Sequence, residues 1–251
     1  MIRILGIEGF PIIEGRCNLE QEIINCLQQA SPTPHLQDGD ILVIAHKIIS
    51  KAEGQTVDLN SVEVGPRARE IAETTGKDPR LVEVILRESR ALIRVVGEHI
   101  ITEHRLGFIC ANAGVDRSNS GSLDRVVLLP ADPDRTANQI RKAVARELGR
   151  EIAVIIADTH GRAFRVGAIG TCVGIAGMAP LLHLGGSHDL FDYTMTTTIE
   201  AIADELCAAV TLVMGQCDEG IPLALIQGFS YEAEEGSFRD ILMEPEQDLF
   251  R

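Results

Sequence analysis

Three stretches of this chain are apolar at almost every position: 40–45 (DILVIA), 152–157 (IAVIIA) and 221–226 (IPLALI). A strand with one wet face alternates apolar and polar residues, whereas a strand covered on both faces reads as a continuous apolar run. Periodicity alone leaves a buried helix open for segments this short, yet buried strands are the better reading. The second run is followed at once by Asp158, Thr159, His160, Arg162 and Arg165, so charge gathers where an apolar element opens toward solvent. Ligand sites favour such edges. Taken in isolation, the same residues read equally as an Asx turn, with Asp158 and Thr159 bonding local backbone, Gly161 turning the chain and both arginines solvated.

Helix signals recur between the runs. Asn18 stands as an N-cap before LEQEIINCLQQA, and the Pro-containing loop ASPTPHLQDGD follows. Pro66 and Gly76 frame a second helix, and Asp78 with Pro79 starts a third, amphipathic through Leu81, Val84, Ile85 and Leu92. Residues 92–115 alternate like strands. DPDRTANQIRKAVARELG predicts a capped helix ending at Gly149. The span 196–214 predicts another, with Ile199, Ile202, Leu206, Val210 and Val213 on one stripe and Gly215 as its stop. The order mixes strands and helices without strict alternation, which implies an α+β fold of mixed sheets with helices. There is no G-x-x-x-x-G-K-[ST], and no G-x-G-x-x-G opens a helix after a strand, so the chain is neither P-loop nor Rossmann. At 251 residues it forms one unit over 1–251 or two intertwined lobes.

Composition narrows the function. The net charge of -14 argues against a nucleic-acid binder, which gains most of its affinity from a basic footprint. No uncharged stretch is long enough to span a bilayer and the opening MIRILGIEGFPIIEGR does not match a signal peptide, so the expected compartment is the cytoplasm. Six cysteines without any C-x-x-C imply free buried thiols rather than disulfides or zinc, and the histidines lack metal spacing. For such a chain to hold an anionic ligand, its field must be reversed locally, and bound divalent metal is the economical means.

Four polar stretches border apolar elements: 46–51 (HKIISK), 112–119 (NAGVDRSN), 157–162 (ADTHGR) and 215–222 (GQCDEGIP). Asp116 and Asp158 are hard oxygen ligands suited to Mg²⁺ or Mn²⁺, Thr159 and Gln216 add neutral oxygens, and Lys51 with His46 or Lys47 can meet phosphate oxygens. Each also has an ordinary explanation. Asp116 with Ser118 and Asn119 fits a β-turn, Lys51 a solvated lysine, Gln216 a helix end, and Asp218 with Glu219 a surface acidic pair.

Taken in order, FPII, ISKAEG, NAGVDRSN, ADTHGRAFRVG and MGQCDEGIP resemble the coenzyme F-420 gamma-glutamyl ligase family, over nearly the whole chain. The resemblance implies an enzyme that joins L-glutamate to the glutamate-free deazaflavin coenzyme using GTP, with a further glutamate added through the gamma-carboxyl. It implies that Phe10, Pro11, Ile12, Ile13, His46, Lys47, Lys51 and Asn119 contact the guanine nucleotide. Met214, Gly215, Gln216, Cys217, Asp218, Glu219, Gly220 and Ile221 would wrap it. Asp116 and Asp158 would hold one divalent ion and Thr159 and Gln216 a second, with K⁺ as a further candidate ion. Family members are typically homodimers, and the chain is too short to include the flavin-binding domain that some relatives carry at the C-terminal end. The implied path forms an acyl phosphate on the coenzyme's carboxylate, with Arg162 or Arg165 steadying substrate carboxylate or phosphate. A metal-dependent phosphohydrolase and a non-catalytic GTP-binding module remain the alternatives that these residues allow.

Overall fold

Two of the apolar runs pair side by side at the centre of the molecule. In the computed structural model, which describes residues 1–29 and 35–248, the chain runs through β1 (Arg3–Ile7), α1 (Leu19–Gln29), β2 (Ile41–Ala45) and α2 (His46–Glu53). An excursion follows: β3 (Thr56–Asp58), α3 (Pro66–Thr75), α4 (Pro79–Glu88), β4 (Ser89–Val96), β5 (His99–His104), β6 (Ile109–Ala111) and β7 (Arg125–Val127). The chain then returns through α5 (Pro133–Leu148), β8 (Ala153–Arg162), β9 (Arg165–Ala176), β10 (Leu182–His183), β11 (Ile199–Glu200), α6 (Ile202–Met214) and β12 (Leu223–Gln227). The fold is α+β, as the sequence implies.

Five strands form the main sheet in the order β1-β12-β2-β8-β9. β2 and β8 are parallel, from Ile41 opposite Ala153 to Ala45 opposite Ala157, and their neighbours run antiparallel. Both faces are covered, which explains the continuous apolar runs. Leu42, Ile44, Val154 and Ile156 pack toward α1 and α5 with Ile23, Leu27, Ile140 and Val144. Their alternates Ile41, Val43, Ala153 and Ile155 pack toward α6 with Leu206, Cys207 and Val210. β9 accepts a helix on each side because it carries glycine at the two contacts. A methyl group on Gly170 would strike the Cys207 carbonyl of α6, and one on Gly174 would strike Pro133 at the start of α5.

The excursion builds a core of its own from Leu59, Ile71, Val82, Ile85, Ile100 and Val126, over the three-stranded sheet β4-β5-β6. Its helices begin where local chemistry predicts. Pro66 opens α3 and Gly76 ends it in the left-handed conformation. Asp78 caps α4 by accepting the Arg80 N–H. Asn18 likewise accepts from the Gln21 N–H before α1, and Asp132 and Gly149 bracket α5. Part of the loop after α1 and the last residue of the predicted helix, Ala30, lie outside the described residues.

Four expectations need correction. The third predicted helix stops at Glu88, and Leu92 belongs to β4. The helix predicted over 196–214 begins at Ile202, because Ile199 and Glu200 pair with His183 and Leu182 in a small ribbon, leaving Ile199 exposed. The polar segment after the second apolar run is no turn: β8 continues through Asp158 and Thr159 to Arg162, paired with β9, and the reversal comes at 163–164. Cross-strand pairing supplies the backbone partners that an Asx turn would otherwise provide, although the Thr159 N–H also donates to Asp158. All six cysteines are free, but Cys17 and Cys217 are exposed rather than buried.

Two carboxylates off the main sheet generate predictions. Asp134 accepts from the Ile175 and Phe238 N–H groups and from the Ser237 hydroxyl, tying α5, β9 and the C-terminal segment together, while burial pushes its carboxyl up. Asp134→Ala leaves both N–H groups unpaired and lowers stability by roughly 2–4 kcal/mol, read from urea denaturation. Asp78 is held at about 2 first by its hydrogen bond to Arg80, with Arg117 adding to it. Its folded value lies below the unfolded one, so its stabilisation is present above about pH 4 and disappears as pH falls toward about 2. The stability difference between wild type and Asp78→Asn, measured by denaturation at several pH values, shrinks across that window.

Candidate functional site

β2 ends opposite Ala157 of β8, where their parallel pairing stops, and the chain beyond that pair lines a cavity of about 640 Å³. β2 leads without a linker into α2, whose first turn has no side-chain cap, so its free N–H groups open at the cavity wall formed by Ala45, His46, Lys47 and Ile48. This is the local positive region that an acidic chain needs to receive an anion.

β8 passes its neighbour's end and keeps alternating. Asp158 falls on the side of Ile156, toward α2, and Thr159 falls on the opposite side, toward α6. Accordingly the Thr159 hydroxyl donates to Gln216 Oε1 at 3.0 Å, whereas Asp158 meets His46 at 3.3 Å and His160 at 2.9 Å. Burial by itself would raise the Asp158 carboxyl, but charge from His46 and a hydrogen bond and charge from His160 hold it well below the ordinary carboxylate range. His46 is itself only 3% exposed, and its Nε2 faces Asp158 without hydrogen-bond geometry.

Asp116 arrives from the excursion. Its backbone exchanges two hydrogen bonds with Val127, and β7 is paired through β3 to the end of α2, which sets Asp116 beside Lys47. Lys47 Nζ lies 2.7 Å from Asp116 Oδ2, and Ser118 donates to both carboxylate oxygens through its N–H and hydroxyl. Burial opposes ionisation here too, yet Lys47 and Ser118 prevail and lower the pKa. Lys51, one turn further along α2, has its ammonium pKa lowered by burial and then by Lys47. On the far wall, Asn119 Nδ2 donates to the Cys217 carbonyl, joining the loop after Asp116 to the loop after α6.

Nearly every residue that the sequence singled out lines this cavity: Phe10, Pro11, Ile12, Ile13, His46, Lys47, Lys51, Asp116, Asn119, Asp158, Thr159 and the whole segment 214–221. Arg162 and Arg165 do not. They face each other at the exposed end of the β8–β9 hairpin, one pair beyond Gly161 and Ala168, and Arg162 donates to the Gly167 carbonyl. Sequence reasoning missed Ser118, His160 and the open end of α2. Ser118 and His160 each stand two positions after an aspartate, a spacing that suits side-chain pairing in a loop and along one strand face.

Among the described residues, no three His, Cys, Asp or Glu side chains form a ready-made metal cage. The oxygens of Asp116, Asp158, Thr159 and Gln216 instead offer sparse, hard donors around one cavity, the kind that suits an ion sharing its coordination with water and phosphate. Lys47 already places a cation against Asp116, which demonstrates the preference of that spot for positive charge. The donor set therefore fits a divalent metal.

Comparison with known proteins follows the same residues. A family model described as F420-0:Gamma-glutamyl ligase matches residues 8–228. The coenzyme F420:L-glutamate ligase of Methanothermobacter thermautotrophicus is 45% identical over 252 residues, covering 100% of this chain and 99% of that protein. Proteins of the same name from Methanopyrus kandleri and Methanocaldococcus jannaschii are 46% and 41% identical, covering 86% and 100% of this chain and 87% and 97% of their own lengths. A match spanning nearly the full length, across the strands, loops and helix ends that build the cavity, shows that this chain belongs to the F420-0:gamma-glutamyl ligase family.

Proposed function

We propose that this protein is a GTP-dependent ligase that joins L-glutamate to the glutamate-free deazaflavin coenzyme. The observation that carries the proposal is the convergence, in one cavity, of Asp116, Asp158, Thr159 and Gln216 with Lys47, Lys51 and the open end of α2. Acidic oxygens side by side with fixed positive charge in one cavity suit a triphosphate, and the apolar strip of Phe10, Pro11, Ile12 and Ile13 suits a nucleotide base.

A carboxylate is a poor acyl donor, so the coenzyme's terminal carboxylate takes the γ-phosphoryl group of GTP, giving an acyl phosphate and GDP. The glutamate amine then attacks the acyl carbon, the carbon–oxygen bond to phosphate breaks, and the amine gives up a proton as the amide forms. Lys47, Lys51 and the α2 N–H groups hold the phosphates and stabilise negative charge as it shifts between oxygens. Asp116 and Asp158 would hold one Mg²⁺ or Mn²⁺ and Thr159 and Gln216 a second, and bound metal supplies charge neutralisation and polarises the phosphoryl group. Arg162 or Arg165, at the exposed end of the β8–β9 hairpin, would steady a substrate carboxylate or phosphate. A second glutamate would join through the gamma-carboxyl by the same two steps.

Purified protein with GTP, Mg²⁺, glutamate and the deazaflavin yields a product heavier by one glutamyl unit in the mass spectrum, and GTP consumption depends on glutamate. GTP hydrolysis at an unchanged rate without glutamate would instead identify a phosphohydrolase, and GTP binding without turnover a non-catalytic module. Asp116→Asn and Asp158→Asn each lower glutamate-dependent turnover by roughly 100-fold or more while the melting temperature stays close to wild type. Wild-type rates in both variants would remove these carboxylates from the centre.

A further inference from the structure

A train of rings runs from the end of β5 to His160, the partner of Asp158, and the proposed reaction does not use it. Phe108, between β5 and β6, lies 5.2 Å from the His104 ring and nearly parallel to it at 16°. It lies 5.3 Å from His160 at 34°, and meets Phe238 edge-on at 6.4 Å. Three separate parts of the chain thus clamp one phenyl ring: the end of β5, the extension of β8 and the turn Phe238–Ile241. His104 is fully buried, and its Nδ1 accepts the Leu106 N–H at 3.0 Å, which fixes its plane. Its Nε2 is 3.7 Å from Glu88 Oε2, an oxygen that also meets Arg105 Nε at 3.0 Å.

At the other end of the train, His160 Nε2 pairs with Asp158 Oδ2 at 2.9 Å. The remaining carboxylate oxygen is held by the Thr159 N–H and lies near His46, whose own ring is tied to Ser50 within α2. A carboxylate gripped on both oxygens cannot rotate unless one grip loosens. His160 stands beyond the five-stranded core, on the part of β8 paired only with β9, so packing from Phe108 sets the direction of its ring.

We infer that Phe108 is a positioning residue for the candidate centre: acting through His160, it fixes the rotation of the Asp158 carboxylate and so the direction in which that carboxylate receives a divalent cation. The inference rests on the proposed role of Asp158 as a cation ligand and extends it to a residue that does not line the cavity. Leucine at 108 would fill much of the same volume but could not stack, leaving the His160 ring free to turn.

The test is Mn²⁺ binding to the nucleotide-free protein, followed by electron paramagnetic resonance of the unbound ion, with the melting temperature as a check on folding. Phe108→Leu and His160→Ala each raise the Mn²⁺ dissociation constant roughly 10-fold, while Phe108→Tyr stays within about twofold of wild type. The double variant Phe108→Leu with His160→Ala binds no more weakly than His160→Ala alone, because both changes act on the same carboxylate. The long-range ¹H–¹⁵N spectrum shows one His160 tautomer in wild type and an averaged signal in Phe108→Leu. Should Phe108→Leu fail to fold, Phe108→Met carries the same comparison. Unchanged Mn²⁺ affinity in the folded 108 variant, or losses that add in the double variant, overturns the inference and leaves the cation site standing. Absence of Mn²⁺ binding by wild type overturns both.

Discussion

The arrangement on which everything else at the site depends is the point where the pairing of two parallel strands ends. Because β2 and β8 run together until Ala45 stands opposite Ala157, the segments beyond that pair are delivered to one place. One becomes a helix whose bare first turn faces the cavity, and the other continues as a strand that carries oxygen donors past the edge. The antiparallel neighbours complete the enclosure. The Ala45 N–H donates to the Pro222 carbonyl, which fixes the loop entering β12 against the same rim. In an open sheet, ligands gather outside the carboxyl ends of parallel strands for this reason, and the pattern here needs only a single parallel pair.

The electrostatics follow from that geometry. A chain of net charge -14 repels anions at long range, so attraction must be assembled locally. Asp116 and Asp158 are each accompanied by an internal cation or imidazoles, Lys47 for Asp116 and His46 with His160 for Asp158. These partners keep the carboxylates ionised despite burial and spare the fold an uncompensated charge in the interior. The same contacts mean that a metal ion entering the site shares those carboxylates with groups already present.

Sequence alone made some of this legible and hid the rest. Local signals were readable wherever chemistry within four residues decides the outcome, as with Asn18, Asp78 and Asp132 at helix starts and Gly76 and Gly149 at helix ends. The central strands were readable because burial on both faces keeps their covered segments, such as 41–45 and 153–157, apolar throughout. The extension of β8 through Asp158 was not, because its strand character comes from pairing with β9, and the residues themselves suit a turn equally well. The start of α6 was misplaced for the same reason: Ile199 fits the helical stripe, but the partner that holds it in the ribbon, His183, lies sixteen residues earlier. At the site, Asp116 and Asp158 stood out as hard ligands, whereas Ser118 and His160 gained meaning only once their aspartates were seen to need partners.

The way β8 distributes its side chains limits how this region can change. Asp158 serves one wall and Thr159 the other solely because they are neighbours on an extended chain. Loss or gain of a single residue between Ile156 and Asp158 would exchange their destinations, sending the carboxylate toward Gln216 and the hydroxyl toward His46. Replacement of individual side chains in this segment is therefore open to evolution in a way that a change in its length is not, and relatives that keep the site must keep the count.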